Sequence, residues 1–311
     1  MSLASTGAHL SRLIYQSRAI WKAAVLFITD QQADQSGVIA LKKTDVQKTV
    51  SKDYARMLKE SEDRSSCCGR QSGAGTISKL AGYEPAPHQE EAASQSFGCG
   101  NPLAFADIEA GQTVLDLGSG AGLDLMLAAD RTGPSGRVIG IDMTQEMVDK
   151  ATENVSRAGY SNVEVRMGRI ENLPIADSSV DWVISNCVIN LSQDKARVFS
   201  EVARVLKPGG HFSISDIVVE SLPGFLRENA ALYSACVAGA ISEQAYLAGL
   251  RDAGLEDVQV TQRLVYEESQ LVSLISSEIP GLNLSQELID EIAPTVAGRV
   301  WSAKFTGRRA G

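Results

Sequence analysis

Val114-Leu-Asp-Leu-Gly-Ser-Gly-Ala-Gly122 decides how this chain is organised. β-Formers run into an acid, Asp116, and glycines then take the alternate positions Gly118, Gly120 and Gly122 ahead of an apolar, helix-like run over 123–129. That order is a strand, a tight turn and a helix start. Glycine suits the turn because it accepts φ angles that a side chain forbids and lets a ligand approach the backbone. The N–H groups opening the helix favour negative charge. The spacing is G-x-G-x-G rather than the G-x-G-x-x-G of dinucleotide sites. About 20 residues further on, a second short strand over 138–141 ends in Asp142, where a carboxylate can accept hydrogen bonds from ribose hydroxyls.

Working outward, strands and helices alternate. A helix over 145–158 presents Met147, Ala151 and Val155 on one face, and Gly159 follows its end. Strands are expected over 163–167, 181–185, 211–217 and 258–262, with helices over 193–206, 228–240 and 243–253. Residues 298–306 alternate as a terminal edge strand after a helix over 285–292, and a helix over 44–60 precedes the glycine loop. Alternation at this interval implies an α/β fold with a mostly parallel sheet covered on both faces. The loop, its preceding acid and the acid ending the next strand resemble the class I S-adenosylmethionine-dependent methyltransferases, whose Rossmann-like sheet carries an antiparallel edge strand. The resemblance implies cofactor contacts from Asp116, Gly118, Ser119, Gly120, Gly122, Asp142, Met143, Ile170, Glu171 and Asn186. The expected organisation is an extension over 1–43, a methyltransferase domain over 44–262 and a small C-terminal region over 263–311.

Composition narrows the partners. A net charge of −9 over 311 residues disfavours nucleic acid, whose phosphates are bound by clustered Lys and Arg. No apolar run approaches the ~20 residues that span a bilayer, so no membrane partner is expected. Residues 1–29 are poor in acids, basic and amphipathic, which is compatible with an organellar presequence, an extra helix packed on the core or a reading frame lengthened by an upstream start codon. A cytoplasmic monomer is the expectation for the remainder.

Five cysteines, Cys67, Cys68, Cys99, Cys187 and Cys236, show no C-x-x-C spacing. Cys67 and Cys68 stand together in a polar segment rich in Ser and Gly, where a reactive thiol belongs more naturally than in a core. Cys99 lies between two glycines ahead of the first strand, and Cys187 lies just past the fourth, beside the strand bearing the glycine loop. Cys236 falls in an apolar segment after the fifth strand. Three thiols could converge there on a soft centre, or each could be a small buried hydrophobe.

Phe97-Gly-Cys-Gly100, Ile141-Asp-Met-Thr144, Ser185-Asn-Cys-Val-Ile-Asn-Leu191, Arg204-Val-Leu-Lys-Pro-Gly-Gly210, Ser215-Asp216 and Cys236-Val-Ala-Gly-Ala240 together resemble the arsenite S-adenosylmethionine methyltransferases. The resemblance implies that Cys99, Cys187 and Cys236 hold trivalent arsenic. It also implies that Cys67 or Cys68 forms a disulfide with a site cysteine, Cys99 being the expected one, to be reopened by an external thiol reductant such as thioredoxin or glutathione. Ala235, Tyr233, Leu123 and Leu125 depart from the usual pattern. Two rival readings stand beside this one: a methyltransferase for a small carbon or oxygen substrate such as a quinone precursor, and a non-catalytic arsenic-binding protein.

Overall fold

The computed structural model describes residues 46–65, 82–96, 98, 100–220, 236–265, 294 and 297–311. The expected extension over 1–43, the loop with Cys67 and Cys68, Cys99 itself and the helix expected over 285–292 lie outside them.

A seven-stranded sheet organises the described residues. Its strands are β1 (Thr113–Leu117), β2 (Arg137–Asp142), β3 (Val163–Met167), β4 (Val180–Asn186), β5 (Leu206–Val219), β6 (Leu255–Val265) and β7 (Val300–Arg309), in the order β3-β2-β1-β4-β5-β7-β6. β1 to β5 are parallel, and β7 is antiparallel to both its neighbours. Because strand order reverses between β1 and β4, the loops leaving those two strands part and open a crevice.

The helices are α1 (Val46–Ser65), α2 (Glu90–Ser94), α3 (Leu123–Thr132), α4 (Gln145–Arg157), α5 (Lys195–Val205) and α6 (Glu243–Asp252). Side chains of a strand point alternately to the two faces, so β1 sends Val114 into one core with Met126 and Trp182. Leu115 and Leu117 enter the other, with Phe199, Phe212 and Phe305. Both cores are buried, which is why the central strands read as nearly continuous apolar runs.

Two expectations need correction. The C-terminal strand is antiparallel as its reversal requires, but it is not at the edge: β7 lies between β5 and β6, and β6 forms the edge. Ser302 and Lys304 made it look half-solvated, yet both are buried in the sheet. The described end of the helix expected over 228–240 is a turn, because Cys236 takes a left-handed φ of 63° and the segment closes on an Ala240 N–H to Val237 carbonyl bond of 3.1 Å.

Candidate active site

The glycine loop is anchored to β2, since the N–H groups of Gly118 and Ser119 both donate to the Ile141 carbonyl, at 2.7 and 3.1 Å. Gly118 has φ 71°, and a Cβ there would meet Val188 Cγ2 at 2.4 Å. The turn after β4 therefore packs directly on the loop after β1. Asp142, ending β2, accepts from Gly120 N at 3.0 Å and from Thr144 N at 2.9 Å. Burial raises its carboxyl above the usual range, and those N–H groups oppose the rise.

A cleft with about 950 Å³ of empty space opens over this loop. Gly118, Ser119, Gly120 and Asn186 border it at the sheet, and Asp142, Met143, Ile170 and Glu171 border it beyond β2. Asp116 and Gly122 do not line it. Asp116 is buried beneath the loop, where desolvation and then the negative charges of Asp124 and Asp142 push its carboxyl well up. A Cβ on Gly122 would stand 3.3 Å from Ala151 Cβ, so this glycine serves the packing of α3 on α4. The donor-type ligand implied by the sequence fits this cradle. Gly120 has nothing within 4 Å of where a Cβ would stand, and the buried Ser119 hydroxyl has no protein partner. An ammonium would find the Asp116 and Asp124 carboxyls under the loop, and ribose hydroxyls would find Asp142.

Cys187 follows β4 with φ 58°, its N–H donating to the Ser215 carbonyl at 2.8 Å. The left-handed region costs a residue with a Cβ roughly 1–2 kcal/mol. Among the described residues three other non-glycine residues share the predicament: Ser178, Cys236 and Asp257. The Cys236 thiol donates to the Cys187 carbonyl at 2.6 Å, so two cysteines 49 positions apart meet at the crevice. Cys236 is a free, buried thiol, and Cys187 is disulfide-bonded. Burial, then the Asp216 charge, holds the Cys236 thiol well above its ordinary pKa, while Tyr54 and Lys195 pull the other way.

Cys99 lies outside the described residues, but the glycines beside it do not. Gly100 N donates to Asn186 Oδ1 at 3.1 Å, and Asn186 Nδ2 donates to the Gly100 carbonyl at 2.8 Å. A Cβ on Gly98 would stand 2.2 Å from Asn186 Nδ2. Asn186 is thus clasped by the flanking backbone one residue before Cys187.

Sequence reading missed several groups. Tyr54, on α1, lines the cleft and hydrogen-bonds Cys236. Its spacing on an amphipathic helix hid a polar end. Asp124 accepts from the Tyr83 hydroxyl at 2.6 Å and from Asn186 Nδ2 at 3.3 Å. An acid inside the apolar run 123–129 was the available signal. α1 closes over the cleft through Gln47 Nε2 to Glu171 Oε1, 3.2 Å, and the Thr144 hydroxyl to Ser51 Oγ, 3.2 Å.

A family model described as "Methyltransferase domain" matches residues 108–263. The chain is 46% identical over 200 residues to an arsenite methyltransferase of Halobacterium salinarum, covering 63% of this chain and 51% of that protein. Against the arsenite methyltransferase of Homo sapiens it is 36% identical over 212 residues, covering 65% and 56%. The chain thus spans about half the length of these curated relatives. Among solved structures, an arsenic (III) S-adenosylmethionine methyltransferase from Chlamydomonas reinhardtii matches with a TM-score of 0.57 and 34% identity, covering 76% of this chain and 73% of that one.

Proposed function

This chain belongs to the arsenite S-adenosylmethionine methyltransferase family, and from that premise we propose that it methylates trivalent arsenic held by cysteine sulfurs. The observation that carries the reading is the 2.6 Å contact between Cys236 Sγ and the Cys187 carbonyl beside the glycine-loop cleft.

S-adenosylmethionine, when bound, supplies an electrophilic methyl group on a sulfonium. The chain's own part is to bind and orient. Gly118, Ser119 and Gly120 offer backbone and hydroxyl to the methionine end, Asp142 takes the ribose, and Met143, Ile170 and Glu171 border the adenine. In-line attack is a matter of positioning, so little acid–base machinery is needed.

Arsenite, the substrate, is captured by Cys187 and Cys236, with Cys99 as the third sulfur. Each As–S bond forms as a thiol proton and an arsenic hydroxyl leave together as water. A thiol kept protonated by burial, such as Cys236, is therefore competent without a base. After methylation a loop thiolate from Cys67 or Cys68 attacks a bound site sulfur. An S–S bond forms, and the As–S electron pair returns to arsenic. An external thiol such as thioredoxin or glutathione reopens that disulfide by exchange.

The test is incubation of the reduced protein with arsenite, S-adenosylmethionine and thioredoxin or glutathione, followed by arsenic speciation. Methylated arsenic matched by S-adenosylhomocysteine is the expected result. Arsenic retained without methylation would make the chain a sequestering protein. Turnover of a quinone precursor with arsenite untouched would make it a carbon or oxygen methyltransferase.

A further inference from the structure

Against the turn that carries Cys187 lies a carboxyl group that the proposed chemistry does not yet use. Asp216, toward the C-terminal end of β5, is fully buried. It is also firmly held: Ile217 N donates to its Oδ1 at 3.0 Å, and Asn190 N and the Tyr246 hydroxyl donate to its Oδ2 at 3.1 and 3.2 Å. Those three donors come from β5, the turn after β4 and α6. Each would lose its acceptor if the carboxylate turned away.

Its position relative to the sulfurs is equally definite. The preceding residue, Ser215, takes the Cys187 N–H on its carbonyl at 2.8 Å. Asn190, which donates to Asp216, lies three residues beyond Cys187 in the same turn. After burial, the charge of Asp216 raises the Cys236 thiol, and Tyr54 and Lys195 lower it. The Lys195 ammonium donates to the carbonyls of Asn190 and Ser192, at 3.3 and 2.9 Å. Burial raises the Asp216 carboxyl to about 7 against the opposing charge of Lys195, so the group is ionised above that pH.

Methyl transfer moves charge toward this carboxylate. The arsenic lone pair forms an As–C bond as the C–S bond of the sulfonium breaks, and that bond's electron pair stays on the departing sulfur. The donor ends as a neutral thioether. Arsenic, neutral with three sulfurs, becomes four-coordinate and cationic, and rises formally from trivalent to pentavalent. No outside oxidant enters, because the methyl group itself takes the electron pair. A fixed negative group near the centre where positive charge develops lowers the barrier, provided it needs no reorganisation.

The geometry points to Asp216, held against the turn that carries Cys187, as the counter-charge for the cation that forms at arsenic, a positioning residue that acts through that turn. This inference rests on the arsenic reading above, deepens it, and assigns a role to a residue that the cysteine set alone leaves idle.

The experiment uses the full, reduced chain near pH 8.5. Wild type, Asp216→Asn and Asp216→Glu are compared for single-turnover methylation of bound arsenite, S-adenosylhomocysteine affinity, arsenic retained after desalting, and iodoacetamide alkylation of Cys236 read by peptide mass. For Asp216→Asn the expected methylation rate falls roughly 10- to 100-fold, with both binding measurements within about twofold. Alkylation of Cys236 should rise severalfold, since a negative charge that opposes its thiolate is gone. Asp216→Glu should restore part of the methylation rate. A merely structural role would move rate, binding and thermal midpoint together and would not speed alkylation. An Asp216→Asn protein that binds both ligands and methylates at the wild-type rate overturns the inference. If that variant does not fold, Tyr246→Phe decides: a loss of about threefold in rate with binding intact supports the role, and an unchanged rate overturns it. Absence of methylated arsenic from wild type sinks the arsenic reading itself, a result distinct from failure of the variant arm.

Discussion

The loop after β1 and the turn after β4 lie side by side at one end of the sheet, yet one takes its positive φ angles at glycines and the other at a cysteine. Gly118, Gly120 and Gly122 adopt 71°, 50° and 94°, whereas Cys187 adopts 58° and its neighbour Cys236 adopts 63°. Glycine enters that region at no steric cost, so the cofactor side of the crevice is relaxed. The cysteines are strained by roughly 1–3 kcal/mol each and are held by their surroundings, through Cys187 N to the Ser215 carbonyl and Cys236 Sγ to the Cys187 carbonyl. Strain kept at two sulfurs, where glycine would relieve it, indicates that the sulfur is needed for something other than folding.

The largest expected effect tests that contrast directly. Cys236→Gly removes the sulfur and the strain together, and methylated arsenic should fall below detection while S-adenosylhomocysteine binding stays within about twofold. Stability by denaturant titration should change by no more than about 1 kcal/mol, because relief of the left-handed conformation offsets the lost burial of one small side chain. A destabilisation beyond about 3 kcal/mol would make the cysteine a structural residue and dissolve the comparison. Next in size is Gly118→Ala, which strains the relaxed side and drives a methyl group into Val188. It should cost about 2–3 kcal/mol of stability and weaken donor binding. Gly120→Ala meets no atom within 4 Å and should lose only about 1–2 kcal/mol.

The same contrast explains what the sequence disclosed. The cofactor side is built from consecutive residues whose types are dictated by backbone geometry, so Gly118, Gly120 and Asp142 announce a loop and a strand end on their own. The alternation of elements likewise revealed the parallel sheet, though not that β7 is inserted between β5 and β6, because a polar–apolar alternation does not say which strand lies alongside. The thiol side is assembled from segments far apart in the chain. Cysteine spacing left convergence open, and only the likeness to a family joined Cys187 to Cys236. The contacts of Tyr54, Asp124 and Asp216 were illegible for a related reason: each is a polar group inside an apolar pattern, and its partners, Cys236, Tyr83 and Tyr246, come from elsewhere in the fold.

A smaller effect separates the two sides by pH. Burial raises the Asp142 carboxyl, so its protonated form persists to higher pH than in an ordinary Asp. For folding, that means its stability contribution is full below the unfolded value and is lost as pH rises through the folded one. Binding runs the other way, because ribose hydroxyls donate to the ionised form. S-adenosylhomocysteine affinity should be complete above the raised value and fall on acidification through it. Asp142→Asn should bind roughly tenfold more weakly, as expected for loss of a charged hydrogen bond, and should show a flat profile over that range. A wild-type affinity independent of pH there would place the ribose elsewhere.

The smallest effect concerns α1, which touches both sides. α1 meets the cofactor side through Gln47 and Glu171 and the thiol side through the Tyr54 hydroxyl on Cys236. Burial, then the charge of Cys236, keeps the Tyr54 phenol well above its usual range, so it is a neutral donor throughout neutral pH. Tyr54→Phe deletes that donor while leaving the ring against the cleft. One hydrogen bond is worth about 1 kcal/mol, so arsenite retention should weaken about fivefold with donor affinity nearly unchanged. The reverse outcome, donor affinity falling while arsenite is retained, would show that α1 serves the glycine side alone and that the contact with Cys236 merely fills space.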